Sequence, residues 1–386
     1  MNNKKIPRQV WYLSLISFFN DTASEMLYPI MPIFLTQVLG APVAVLGLIE
    51  GLAEATAAIF KGIFGYWSDK IRKRKPFIVG GYASSAIAKG IIALSTGWIG
   101  VLIGRITDRF GKGIRTGARD AMLLEASNKD NKGFIFGLHR TFDTAGAVVG
   151  PLIALLLLNL FNNNIRLILY IAIIPAIIAL SFFFFIKESK TLKLKEKTSF
   201  KFSLSGLDGQ IKKFLLGIAI FSIGNSSDSF LILRGKNLGL SLTSVIGAYI
   251  IYNLVYALAS TPAGKLSDKI GQKKVFIFGI IIFILVYFGF AFNKNPLGIW
   301  LLFAIYGFYI ALTDGIAKAW IGQFIKSEMS GTIYGTVNTV VGIGNLLASI
   351  IGGLLWSIIN PSATFIFAVA CAVISLPFFL SLKNGK

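Results

Sequence analysis

The chain has 386 residues, 55% of them hydrophobic and only 14% charged, with 33 phenylalanines and a formal net charge of +21. A soluble domain this apolar would aggregate, so the composition excludes a water-soluble globular protein and points to one that lives in a membrane. The positive charge is distributed over alternate loops between apolar runs as a topology signal, and nucleic-acid binding is excluded with it.

At about 20 apolar residues per crossing, the punctuation predicts spans at 11–36, 43–67, 77–96, 99–124, 134–158, 166–186, 214–233, 244–266, 275–292, 298–325, 334–359 and 362–382. This is an all-α integral membrane protein of 12 transmembrane helices. Of its 38 Lys and Arg, 25 fall at the termini and in alternate loops. The positive-inside rule therefore puts both termini in the cytoplasm and the chain in the cytoplasmic (inner) membrane.

In chain order, span one carries Asp21 and Glu25, and span two carries Glu50 and Glu54 with Lys61 further along. Each pair is four residues apart and shares one helix face. The loop after span two reads GYWSDKIRKRKPFI at 65–78, and GKLSDKIGQKKVFI at 264–277 repeats it without a gap. Span four bears a stripe of Arg105, Asp108, Arg109, Lys112 and Arg119, with Arg115 at its edge. Charges at mid-membrane cost roughly 2.5 to 3.5 kcal/mol each if they face lipid, so they must face a polar interior or one another. A water-accessible pathway and a set of static ion pairs both satisfy that demand.

Span five contributes His139, Arg140, Asp143, Gly146, Gly150 and Pro151. The Lys-rich stretch 187–213 reads as a cytoplasmic linker between an N-terminal bundle at 1–186 and a C-terminal bundle at 214–386. The second half holds only Asp228, Asp314 and Lys318 within its spans, which makes the first half the expected seat of coupling. GFIFG at 133–137, opening span five, matches GTIYG at 331–335, opening span eleven. One His and one Cys, Cys371, cannot build a metal centre or a Cys-His dyad, and there is no P-loop. No cofactor is expected. A multispan membrane enzyme or receptor is the last alternative, and it would normally carry its residues in a longer external loop than any of about 10 residues seen here.

Duplicated halves in a membrane are a mark of secondary transporters, and the two copies of Gly-x-x-x-Asp-Lys resemble motif A of the major facilitator superfamily. Gly65, Asp69, Lys70, Lys73 and Arg74 carry the resemblance in the first copy, with Arg72 where the family usually has Gly. Gly264, Asp268 and Lys269 carry it in the second. It implies two six-helix bundles working by alternating access, with Asp69 near Gly331 and Asp268 near Gly133 together locking the cytoplasmic face, and Asp120 pairing with the motif A cations. Arg109, Lys112 and Gly113 are similar to motif B, with Lys in place of Gln, and GKGIRTGARDAM at 111–122 resembles a poorly characterised prokaryotic subgroup. Gly146 with Gly150-Pro151 matches the core of motif C, which the family associates with exporters.

The expected function is proton-coupled efflux of a small organic molecule by a functional monomer in the lipid bilayer. Uptake or exchange of an anionic metabolite is the alternative. Asp21, Glu25, Glu50, Glu54, Arg109 and Asp143 are the candidates for coupling. Arg105, Asp108, Lys112, Arg119, Arg140, Asp228, Asp314 and Lys318 are those for the substrate cavity.

Overall fold

A computed structural model describes residues 6–71, 73–127, 132–188, 208–324 and 330–383, with the backbone alone at 66, 69, 70, 132–134 and 330–332. Helix α1 (Arg8–Leu27) stops before Pro29, whose ring and missing N–H interrupt the hydrogen-bond ladder. It is prolonged by Met31–Ile33 and a π-helical turn, Phe34–Val38. Then follow α2 (Val43–Ile71), α3 (Lys75–Leu94), α4 (Trp98–Glu125), α5 (Lys132–Leu160) and α6, in the pieces Ile165–Ile171 and Ile173–Ser181. Helix α7 is also broken, into Gly209–Gly224 and Ser229–Asn237. The rest are α8 (Leu242–Ile270), α9 (Gln272–Phe292), α10 (Gly298–Gly322), α11 (Ser330–Ile358) and α12 (Pro361–Leu380).

Every predicted span falls on one of these helices. Ten are long and apolar enough to cross a bilayer; α1 and α4 are not. Helix α4 carries seven charged residues between Arg105 and Asp120, which only a protein-facing or water-facing position tolerates.

The chain divides into two compact units, Met1–Ala41 with Leu52–Lys197, and Pro42–Gly51 with Thr198–Lys386. Two boundaries therefore differ from the sequence reading. The first turns of α2 group with the second unit because their backbone meets α11 directly. A Cβ at Gly47 would run into the Ser349 carbonyl oxygen, and the Ala44 N–H donates to Ser357 Oγ at 3.0 Å. The expected linker also ends early. Asp208 accepts the Gln210 N–H at 2.7 Å, an N-cap that starts α7 at Gly209. Most of the linker, 189–207, lies outside the described residues.

The duplication persists in the packing. In the first unit α1 packs on α5 and α6, and α3 on α4 and α6; in the second α7 packs on α11 and α12, and α9 on α10 and α12. The repeated loop keeps its local geometry as well. The Ser68 hydroxyl donates to the Gly65 carbonyl at 3.1 Å, and that of Ser267 to the Gly264 carbonyl at 2.7 Å.

Helix C-termini leave carbonyls without partners, and in the second unit a buried arginine takes them. Arg234 reaches the carbonyls of Phe290 at 2.9 Å, Ala291 at 3.3 Å and Asn293 at 3.2 Å, and Asn237 Oδ1 at 2.9 Å. In the first unit Arg166 does a similar service for the Ala93 carbonyl at the end of α3, at 3.2 Å. Arg234→Met is expected to cost about 2 to 4 kcal/mol, since buried acceptors lose their donors. The apparent melting midpoint in detergent should fall by several degrees, and an unchanged midpoint would refute this capping role.

Candidate functional site

Inside the first unit, α1 and α4 enclose a cavity of roughly 110 Å³ lined by Asp21, Ser24, Glu25, Tyr28, Arg105, Asp108, Arg109, Lys112 and Arg115, with Ala147 of α5. The residues recur at intervals of three and four, so the helical period turns them to one side. The close approach of α5 to α1 sets the position of the carboxylates. A Cβ at Gly146 would lie 2.6 Å from the Phe18 carbonyl oxygen and 3.2 Å from Asp21 Cβ. One at Gly150 would lie 2.6 Å from the Thr22 carbonyl oxygen and 2.9 Å from Glu25 Cβ. Only a hydrogen fits at either place. The motif C glycines thus sit directly behind the two acids of α1.

The cationic wall is braced from the other side. Arg109 Nη2 lies 3.2 Å from Glu54 Oε1. The Arg105 guanidinium stands 5.8 Å from the Tyr28 ring centroid, within cation–π range. Asp108 accepts from Ser85 Oγ at 2.7 Å and faces Lys89 Nζ at 3.6 Å. Arg115 donates to the same Ser85 hydroxyl at 2.8 Å and lies over the Tyr82 ring at 4.4 Å. Lys89 is only 2% exposed. Buried charges persist only when paired and hydrogen-bonded, so this network positions the α4 stripe. Lys112 is exposed and makes no ion pair among the described residues.

A second cluster gathers around Asp143 on α5. Ser17 donates to its Oδ1, and Arg119, His139 and Arg140 each approach it at 3.9 Å. Arg119 also pairs with Asp120 at 3.1 Å and donates to Ser17 Oγ at 3.2 Å. Arg119 is thereby drawn out of the cavity set to which its place on the stripe assigned it. Arg140, with a side chain 65% exposed, stands at the surface. Of the motif A cations, Arg72 and the side chain of Lys70 lie outside the described residues, and Arg74 reaches another acid of α4. Arg74 lies 3.5 Å from Glu125, which stands further along α4 toward the loop, and donates to Ser68 Oγ at 2.8 Å. The side chains of Asp69 and Lys70, and those around Gly133 and Gly331, lie outside the described residues; Lys73, Asp268 and Lys269 are exposed.

In the second unit the break in α7 brings Asp228 to Tyr306, whose hydroxyl donates to Oδ1 at 2.6 Å. Tyr306 in turn packs at a tilt against Tyr252 and Tyr309, at centroid distances of 5.1 and 5.3 Å. Glu50 belongs to this unit and accepts from Ser227 Oγ at 3.4 Å. Asp314 and Lys318 form an exposed i,i+4 pair at 3.3 Å, with Tyr256 on the same carboxylate, an arrangement worth little to stability. The sequence reading runs 214–233 as one span, although Gly224, Asn225 and Ser226 are turn formers that signal the break. Sequence spacing gives Lys89 and the tyrosines no role, because buried aromatics read as packing and a lone Lys on a span shows no partner.

Twelve helices in two repeated units, one of them holding a charged cavity within its membrane span, define a membrane transporter. The Major Facilitator Superfamily pattern matches residues 13–249 and 214–385, and the chain belongs to that family. It is 38% identical to an uncharacterised MFS-type transporter of Methanocaldococcus jannaschii, over 97% of this chain and 94% of that one. It is 23% identical to a multidrug resistance efflux pump PmrA homologue of Lactococcus lactis, over 90% and 88%. Among solved structures it superposes on a variant of the nucleoside transporter NupG with a TM-score of 0.81 at 15% identity, covering 97% of this chain and 100% of the other.

Proposed function

We propose that this transporter expels a small organic molecule in exchange for protons, with both termini in the cytoplasm. The observation that carries this reading is the pair Asp21 and Glu25, one helical turn apart, facing Arg105, Arg109, Lys112 and Arg115 across one cavity. Dehydration favours the neutral form of a carboxylic acid and a nearby guanidinium favours the ion, so closure and opening of such a cavity load and release a proton. A substrate that competes with the proton for these groups is exchanged for it. Likeness to an efflux pump homologue supports the outward direction.

The second reading is uptake or exchange of an anionic metabolite. It is favoured by Lys112, which offers an ammonium without an ion pair among the described residues. Proteoliposomes with pH and sodium gradients imposed separately distinguish the two. The first reading expects a pH gradient alone to drive expulsion of cationic or neutral compounds. Sodium dependence, or accumulation of anions only, would overturn it.

A further inference from the structure

We propose that the second unit binds one anionic phospholipid, its acyl chain in a groove between α8, α9 and α10 and its phosphate on the lysines at the end of that groove. The groove has a volume of roughly 510 Å³ and no charged side chain lines it; Val255, Leu258, Pro262 and Leu266 form one wall, Phe278 and Phe308 the other. It opens outward, with Leu258 69% and Phe278 55% exposed. Pro262 lies inside α8, where the missing N–H and the ring bend a helix away from its neighbours.

The duplicated unit shows why this space is unfilled. Helices α2 and α8 run from 43 to 71 and from 242 to 270 at the same offset as the repeated loop. The positions of Ala259 and Ala263 in the groove wall correspond to Phe60 and Phe64. Those two rings fill the first unit's own surface, packing on Phe110 at centroid distances of 4.7 and 5.6 Å. The second unit has two methyl groups there and leaves the volume to an outside chain.

Length and charge identify the occupant. From Val255 to Leu266 the wall runs about 16 Å at 1.5 Å per residue, against about 15 Å for one leaflet of a roughly 30 Å hydrocarbon core. At and just past Leu266 come Lys265, Lys269 and Lys274, all exposed and without ion pairs among the described residues, with the exposed Asp268 an acid in the same stretch. Lys273 is engaged elsewhere, on the carbonyls of Leu380 and Leu382. A neutral lipid would leave these ammonium groups unused, whereas an anionic headgroup at the end of one leaflet meets them.

The test uses the full chain, delipidated in detergent and exposed to phosphatidylglycerol or phosphatidylcholine, with bound lipid counted by native mass spectrometry. One phosphatidylglycerol should be retained with about tenfold preference. The Ala259→Phe, Ala263→Phe double variant, filling the groove as in the first unit, should lose that lipid while melting normally in phosphatidylcholine. The Lys265→Gln, Lys274→Gln variant should keep a lipid but lose the preference. Should the double variant melt early, Ala259→Leu gives the graded version of the same test. Equal retention of both lipids, undiminished retention by a correctly folded groove variant, or competition by soluble glycerol phosphate would overturn the proposal.

Discussion

Asp21→Asn and Glu25→Gln should uncouple transport from the gradient, lowering gradient-driven flux by about 100-fold, the scale on which a positioned proton-transfer group acts. Substrate exchange without a gradient should persist within a few-fold. The reason is geometric: both carboxylates line the charged cavity, whereas the third acid there, Asp108, is held by Ser85 and Lys89. Glu54→Gln should act differently, because it releases Arg109 from its 3.2 Å partner and changes substrate affinity as well as coupling. Glu50→Gln should have the mildest effect, since its carboxylate faces Ser227 in the other unit. Concentrative transport surviving in all four variants would move coupling to Asp143 or Asp228.

The second large effect is expected at Gly150. A valine there drives methyl groups into the Thr22 carbonyl and Glu25 Cβ, which already lie 2.6 and 2.9 Å from the site of a Cβ. Overpacking of this kind costs about 1 to 3 kcal/mol, and relief requires α5 to move off α1 with both acids displaced. Gly150→Val should lower export at least tenfold, taking about 1.4 kcal/mol per decade, and should raise substrate-independent proton leak in vesicles. Gly352→Val should do less, because its Cβ would meet the Thr364 methyl at 3.0 Å rather than backbone. Gly150→Ala, with a graded loss, separates local displacement from misfolding. Export and leak unchanged in Gly150→Val would reduce the glycines to packing and make uptake or exchange the preferred reading.

Some of the site could be read from local pattern alone. Asp21 with Glu25, and Arg105 through Arg115, stand out in the sequence because four-residue spacing on a membrane helix turns charges to one side whatever the neighbours are. The partners were another matter. Nothing in the spacing of α3 announces that Lys89 belongs with Asp108, or that Ser85 bridges Asp108 and Arg115. Arg119 sat on the same stripe as the cavity residues, yet Ser17 and Asp120 hold it in another cluster.

The sequence by itself determined the membrane class, the twelve helices, the duplication and the family, because a bilayer demands long apolar runs and a gene repeat leaves a constant offset. The tertiary structure alone decided which charges face one another. It joined the first turns of α2 to the second unit, set Gly146 and Gly150 behind the two acids, and left a groove at Ala259 and Ala263 where the first unit has phenyl rings. The physical reason is range. Span length and helical phase depend on residues a few positions apart, whereas pairing and close backbone approach depend on helices far apart in the chain, whose rotation only packing fixes.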